Sequence, residues 1–387
     1  MRLPVEIWSP FPPQASGVAD YVHEQLEALD RVLDLTLVAE SAAEVATDIR
    51  KRYRVIAPEQ SDLAVLRVYH VGNSPLHGFI YREALEVPGV VVMHEWNLHE
   101  LLLGFAVTSN DFDGYRVQMR REHGERGTVA AETVGSALGG RYWTGTFPLN
   151  SEILESALAV VCLSAQTAAR ATSRMPGRRV LYLPLHASLR SHSSTRAQAR
   201  SRLRLPEKAR LILAPGLGTP SRCFDIAEAA VESLSPRFEN VVLLTVGDAS
   251  RVETGGPIQH LGRVSLETLG DALLASDVVL ALRFPSRGEA SALLMRALAA
   301  GRASIVSAGS TADEDLPEGV VARLNHGPTE SRELAAVLAF LLDNDEARSR
   351  MERLALATAL ARSAGPLAEE MAAFLATVAS QRERTES

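Results

Sequence analysis

Short, almost wholly apolar runs recur along this chain, each closed by a loop bearing glycine or proline and then by a segment whose apolar residues return every three or four positions. Residues 4–9, 33–39, a run inside 62–71, 87–93, 159–163 and 178–183 have this character in the first half. Residues 210–214, 240–246, 277–282, 304–307 and 320–324 repeat it in the second. Strands this short and this apolar are buried on both faces, and helices alternating with them supply the cover. The expected class is α/β, with two Rossmann-like doubly wound domains facing a cleft. The alternation breaks once, at the proline- and serine-rich segment 184–195, where the domain linker is placed. Residues 1–184 and 196–364 are then the two domains, and no short-period repeat is present.

Composition narrows the partners. A chain of 387 residues with 46% hydrophobic and 22% charged content reads as a soluble globular protein. No apolar run approaches the roughly 20 residues of a spanning helix, and the N-terminus reads as a first strand, so a cytoplasmic location is expected. A net charge of −7 argues against a nucleic-acid partner, whose affinity rests on a basic surface. Cys162 and Cys223 are too few for a disulfide framework, and the spacing of His94 and His99 is one residue too long for a helical metal pair. No metal site is expected.

Polar residues collect after the strands, where open α/β sheets bind ligands. The loop 10–17 ends in Gly17, before a helix capped by Ser16 with Asp20 in its first turn. Strands of the first half end in clusters holding His70, Asn73, His94 and His99. In the second half, Gly216-Leu-Gly218 is too short for a dinucleotide fingerprint and no P-loop is present. With Arg222 following, that loop suits a diphosphate, which amides, a helix dipole and a bidentate guanidinium all favour. The stretch 283–301 reads as a strand end, a loop and a helix stopped by Gly301, with Glu289 expected in the first helical turn. A carboxylate there either complements the helix dipole or faces a ligand. Helix 111–140, with Arg116, Arg120, Arg121 and His123, reads as a solvated face, a peripheral contact with anionic lipid being the alternative.

The loop after the first strand, the strand-ending His94, the phosphate loop and Pro285-Ser-Arg-Gly-Glu-Ala-Ser before Arg-Ala-Leu-Ala-Ala-Gly together resemble the GT-B retaining glycosyltransferases, and more narrowly glycosyltransferase family four. The resemblance implies transfer of a sugar from a nucleoside-diphosphate sugar to a glycan, lipid-linked or small-molecule acceptor, with domain closure and no obligatory metal or other cofactor. It also implies a last helix, 365–387, crossing back to the N-terminal, acceptor-binding domain.

Carried over by position, Gly17 lies near the leaving phosphates and His94 near the transferred sugar. Arg222 stands at the place of the phosphate-binding lysine, and Glu289 matches the first of two paired glutamates, with the amides of Ala290 and Ser291 beside the donor. Gly216, Gly218, Gly247 and Arg263 complete the donor set, while Asp20, Asn73 and His99 are assigned to the acceptor side. The chain departs from the family where Arg296 precedes Ala-Leu-Ala-Ala-Gly, in place of the second glutamate. It departs again in having the single Arg222, with Arg263 as a candidate second charge. An epimerase of the same fold and a non-catalytic nucleotide-sugar-binding protein are the alternatives.

Overall fold

A computed structural model of the chain describes residues 2–135, 142–187, 194–206, 208–216, 218–247, 252–253, 256–310, 313 and 315–386. Residues 188–193, half of the expected linker, lie outside the described residues. So does Leu217, in the middle of the expected phosphate loop. The chain divides into two compact units. One comprises Met1–Pro184, Arg287–Ala290 and Ala364–Ser387, the other Leu185–Ser286 and Ser291–Ser363.

The first unit is built on a seven-stranded sheet of β1 (Leu3–Trp8), β2 (Leu33–Val38), β3 (Arg54–Ile56), β4 (Leu66–Val71), β5 (Val90–Met93), β6 (Ala159–Cys162) and β7 (Arg179–Tyr182). Its order is β3-β2-β1-β4-β5-β6-β7, parallel throughout. Every residue of β4, β5 and β6 is buried, as expected for central strands covered on both sides. The last helix, Ala364–Glu386, belongs to this unit and buries Leu367, Met371, Leu375 and Val378, packing on helix Gly17–Val32.

The second unit repeats the plan with β8 (Arg210–Pro215), β9 (Val241–Val246), β10 (Val252–Glu253), β11 (Ile258–Leu261), β12 (Val278–Ala281), β13 (Ala303–Ser307) and β14 (Ala322–Leu324). Their order is β10-β11-β9-β8-β12-β13-β14, with only β10 antiparallel to its neighbour. Helices such as Phe224–Leu234 and Glu330–Asp343 bury their apolar faces on one side of this sheet. Helix Leu266–Ala275 covers the other side. The two sheets are the doubly wound pair expected from the alternation.

Several elements differ from the sequence expectation. β3 is three residues long, too short to show a period. Helices Thr47–Arg52, Gly78–Glu86 and His99–Ser109 stand where none was expected. The long helix is Phe112–Gly135 and breaks at Gly124, whose φ of 61° is left-handed; the expected continuation through 136–140 lies outside the described residues. No helix among the described residues is long and apolar enough to cross a membrane.

Candidate functional site

Strand order reverses at β1/β4 in the first sheet and at β8/β12 in the second. At such a reversal the two following loops run in opposite directions and leave a crevice beyond the carboxyl ends of the strands. The loop after β8 carries Gly216, Gly218 and Arg222; the loop after β12 carries the Arg283–Glu289 stretch. These loops touch, since the Phe284 N–H donates to the Ser221 carbonyl at 2.9 Å.

Gly216 sits at φ 147°, and a Cβ there would lie 2.7 Å from Arg222 Nε and 3.0 Å from Cζ. The guanidinium is thus laid across the glycine, which has to lack a side chain for the arginine to occupy that place. A tight turn, Pro220–Arg222, and Cys223 in left-handed conformation (φ 53°) return the chain into helix Phe224–Leu234 and hold Arg222 in this place. The neighbouring strand ends are tied to this loop. The Gly216 N–H donates to the Val246 carbonyl at 2.8 Å and the Gly247 N–H to the Gly262 carbonyl at 2.7 Å. Gly247 is also left-handed, at φ 113°. Arg263, next to Gly262, is exposed and makes no ion pair with a described residue. Five expected donor residues, Gly216, Gly218, Arg222, Gly247 and Arg263, therefore lie on loops at one edge of one sheet, with Arg222 as their half-buried cation.

Glu289 lies in the loop, not in the first helical turn expected for it. The helix runs Ala292–Ala299 and is capped by Ser291, whose hydroxyl accepts from the Leu294 N–H at 3.2 Å. A dipole-complementing role thus falls to no carboxylate here. Glu289 is 6% exposed and accepts the Arg287 N–H at 2.5 Å. Arg287 and Gly288 pair with the loop after β5, which begins at His94. The Trp96 N–H donates to the Gly288 carbonyl at 3.3 Å and the Asn97 N–H to the Arg287 carbonyl at 3.1 Å. The Arg287 guanidinium pairs with Glu100. Gly288 is at φ 76°, and its missing Cβ would stand 2.4 Å from Trp96 Cβ. The first unit thus holds the Glu289 and His94 loops together, with Ala290 between Glu289 and the capping Ser291. Arg296, expected as the departure from the glutamate pair, is buried.

His94 Nε2 and His70 Nδ1 are 2.9 Å apart, and His77 Nδ1 donates to the His70 carbonyl at 2.9 Å. Nδ1 of His94 is left without a described partner. Burial, followed by repulsion from His77, pushes His70 down to about 3, and burial pushes His77 down to about 4. His94 is held well below the usual imidazole range by burial and by the other two rings. All three are neutral near pH 7, so His94 acts as a hydrogen-bonding ring and not as a cation.

The native state therefore takes up fewer protons than the unfolded chain below the unfolded value near 6.5. Stability should be intact above that pH and fall as pH drops towards 4, by about 1.4 kcal/mol per pH unit for each ring. Denaturant titrations at pH 7.5, 5.5 and 4.5 measure this, and the His77→Asn variant should show a shallower fall.

Two expected acceptor-side residues are committed within the first unit. The ring of His99 is fully buried, with Nδ1 2.7 Å from the Phe147 carbonyl and Nε2 2.6 Å from the Tyr115 hydroxyl, so neither nitrogen faces outward. Asn73 caps helix His99–Ser109, its Oδ1 accepting the Leu101 N–H at 3.1 Å. Both fix where the β4 and β5 loops go, which is why they stand at strand ends. Asp20 remains on the first turn of helix Gly17–Val32. Gly17 opens that helix with nothing within 4 Å of an added Cβ, and Ser16 caps it, its hydroxyl accepting the Val18 N–H at 3.2 Å.

Two doubly wound sheets with the last helix returned to the first are the GT-B glycosyltransferase fold. Among solved structures, sucrose-phosphate synthase from Thermosynechococcus elongatus matches at 15% identity, with 98% of this chain and 100% of that one covered and a TM-score of 0.64. HepE of Anabaena in complex with UDP-glucose matches at 12% identity, over 97% and 100%, with a TM-score of 0.63. A putative UDP-N-acetylglucosamine 2-epimerase from Listeria monocytogenes matches at 13%, over 99% and 98%, with a TM-score of 0.54. No family model and no curated protein matches the sequence.

Proposed function

We propose that this chain is a retaining glycosyltransferase of the family four kind, moving a sugar from a nucleoside-diphosphate sugar to an acceptor hydroxyl. The observation that carries the reading is the Arg222 guanidinium laid against Gly216 at the β8/β12 reversal. A fixed cation at this edge stabilises a departing diphosphate, where negative charge develops in the transition state. Arg263 supplies a second charge on the same edge. Glu289 holds donor hydroxyls, an orienting role that needs the buried, hydrogen-bonded carboxylate found there. His94 offers its remaining nitrogen to the sugar.

In the reaction the bond from the anomeric carbon to the diphosphate oxygen breaks. The bond to the acceptor oxygen forms on the same face, and the acceptor proton passes to the leaving phosphate. The UDP-glucose held by HepE supports a uridine donor. The family reading places the acceptor on the first unit, and a cytoplasmic enzyme with the donor as its one required small molecule follows from it.

The epimerase neighbour supports a second reading, in which the same diphosphate edge serves isomerisation of the nucleotide sugar. Calorimetric titration with UDP-, GDP-, ADP- and dTDP-sugars, followed by product analysis with and without acceptors, separates the two. The transferase reading expects binding and a transfer product with retained configuration. An epimerised donor and no transfer would establish the second reading, and failure to bind any nucleotide sugar would overturn both.

A further inference from the structure

The first unit carries a concave groove of about 570 Å³ that none of these roles uses. Helices Gly78–Glu86 and His99–Ser109 line it, chiefly through Phe79, Leu103, Phe105 and Val107, with Gly104 on the second helix. The volume is that of a small-molecule site. Its aromatic walls are held from behind. Phe79 packs on Trp8, ring centroids 6.3 Å apart, and Phe105 on Tyr81 at 6.0 Å. The Arg82 guanidinium lies 5.3 Å from the Phe105 centroid and makes no ion pair with a described residue. Glu100 lines the groove, and its partner Arg287 donates its N–H to Glu289. The groove is thus linked through this pair to the loop that carries the expected sugar-holding carboxylate.

We propose that this groove receives the aromatic aglycone of the acceptor, a flat phenol-type molecule whose anionic group faces Arg82. The proposal rests on the transferase reading above. Pre-positioned rings and aliphatic side chains bury a flat apolar body at little ordering cost. The polar lining residues Glu40, Glu100, Thr108 and Thr144 would serve a carbohydrate instead, which is why maltose stands beside the phenols in the test. An unpaired guanidinium above an aromatic wall adds attraction for a carboxylate or phenolate.

Gly104 gives a clean test, because a Cβ there would meet only Pro75 Cγ, at an ordinary 3.9 Å. Gly104→Leu should fill the groove while leaving the fold intact, and replacing a helical glycine should not lower stability. Binding of 4-methylumbelliferone and of 4-hydroxycinnamate would be measured on the wild-type chain and on this variant, beside maltose and the nucleotide-sugar panel. The proposal expects both phenols to bind, at least tenfold weaker binding in Gly104→Leu, unchanged nucleotide-sugar binding and an unchanged melting temperature. Arg82→Gln should weaken the hydroxycinnamate more than the neutral phenol.

Equal phenol affinity in a folded Gly104→Leu would overturn the groove assignment. So would maltose displacing the phenol, or no phenol binding while nucleotide sugars bind, and in that last case the transferase reading would stand. Retention on phosphatidylglycerol vesicles that Gly104→Leu abolishes, without phenol binding, would also overturn it. If phenols bind in the Gly104-dependent way but no nucleotide sugar binds, the acceptor role falls and the transferase reading with it.

Discussion

Replacing Arg222 by alanine is expected to cut turnover at least tenfold, an increase of about 1.4 kcal/mol or more in the barrier, with little change in melting temperature. The side chain is half-buried across Gly216 and at the edge of the sheet, so its removal leaves no cavity in either apolar core. On the proposed transferase reading, what is lost is a fixed positive charge where the diphosphate departs, a contribution that grows as the bond breaks and so falls on kcat. Arg222→Lys should recover part of the rate, because the ammonium keeps the charge and lacks the planar fork. Gly216→Ala should behave as a milder version of the same lesion: the added Cβ, 2.7 Å from Nε, displaces the guanidinium without deleting it. Steady-state kinetics alongside calorimetric nucleotide binding would show this. Near-wild-type turnover in both Arg222→Ala and Gly216→Ala would remove Arg222 from the chemistry.

The second large effect is expected at Glu289. Glu289→Ala should lower kcat at least tenfold while leaving the affinity for free nucleoside diphosphate nearly unchanged, since on the proposed reading the carboxylate addresses the sugar and not the phosphates. Glu289→Gln keeps an acceptor for the Arg287 N–H and should be the less damaging change. Gly288→Ala supplies the control for position. Its backbone is left-handed and the new methyl would stand 2.4 Å from Trp96 Cβ, so the loop has to move and carry an intact Glu289 with it. A loss in Gly288→Ala comparable to that in Glu289→Ala would show that placement of the carboxylate matters as much as its presence. Equal weakening of sugar nucleotide and free nucleotide in Glu289→Ala would assign the residue to phosphate binding instead.

The alternation of apolar strands with periodic helices was enough to reach two doubly wound sheets, because each central strand has to be apolar on both faces and each covering helix on one. Helix His99–Ser109 escaped for the opposite reason: His-Glu-Leu-Leu-Leu-Gly-Phe-Ala-Val-Thr-Ser is apolar nearly all round, so it shows no helical period. Part of that excess apolar surface lines the groove. At the candidate site, Gly216, Arg222, His94 and Glu289 were singled out from residue type and from position after a strand. Their supporting partners were not. The pairing of Arg287 with Glu100, and of Gly288 with Trp96, joins residues nearly two hundred positions apart, and a single sequence carries no period or spacing for such contacts. His70 was noted only as one member of a polar cluster, and its bond to His94 depends on the register of β4 beside β5, which places His70 opposite Val92. Asn73 and His99 show the converse. Polar residues at strand ends also serve to anchor loops, and residue type alone does not separate that use from ligand binding.

A crystal structure of the protein grown with UDP, and with GDP, ADP and dTDP in parallel, addresses the central claim most directly. The account predicts a diphosphate within hydrogen-bonding distance of the Arg222 guanidinium, beyond the ends of β8 and β12. A nucleotide bound anywhere else on the chain, with Arg222 left in solvent, would contradict it.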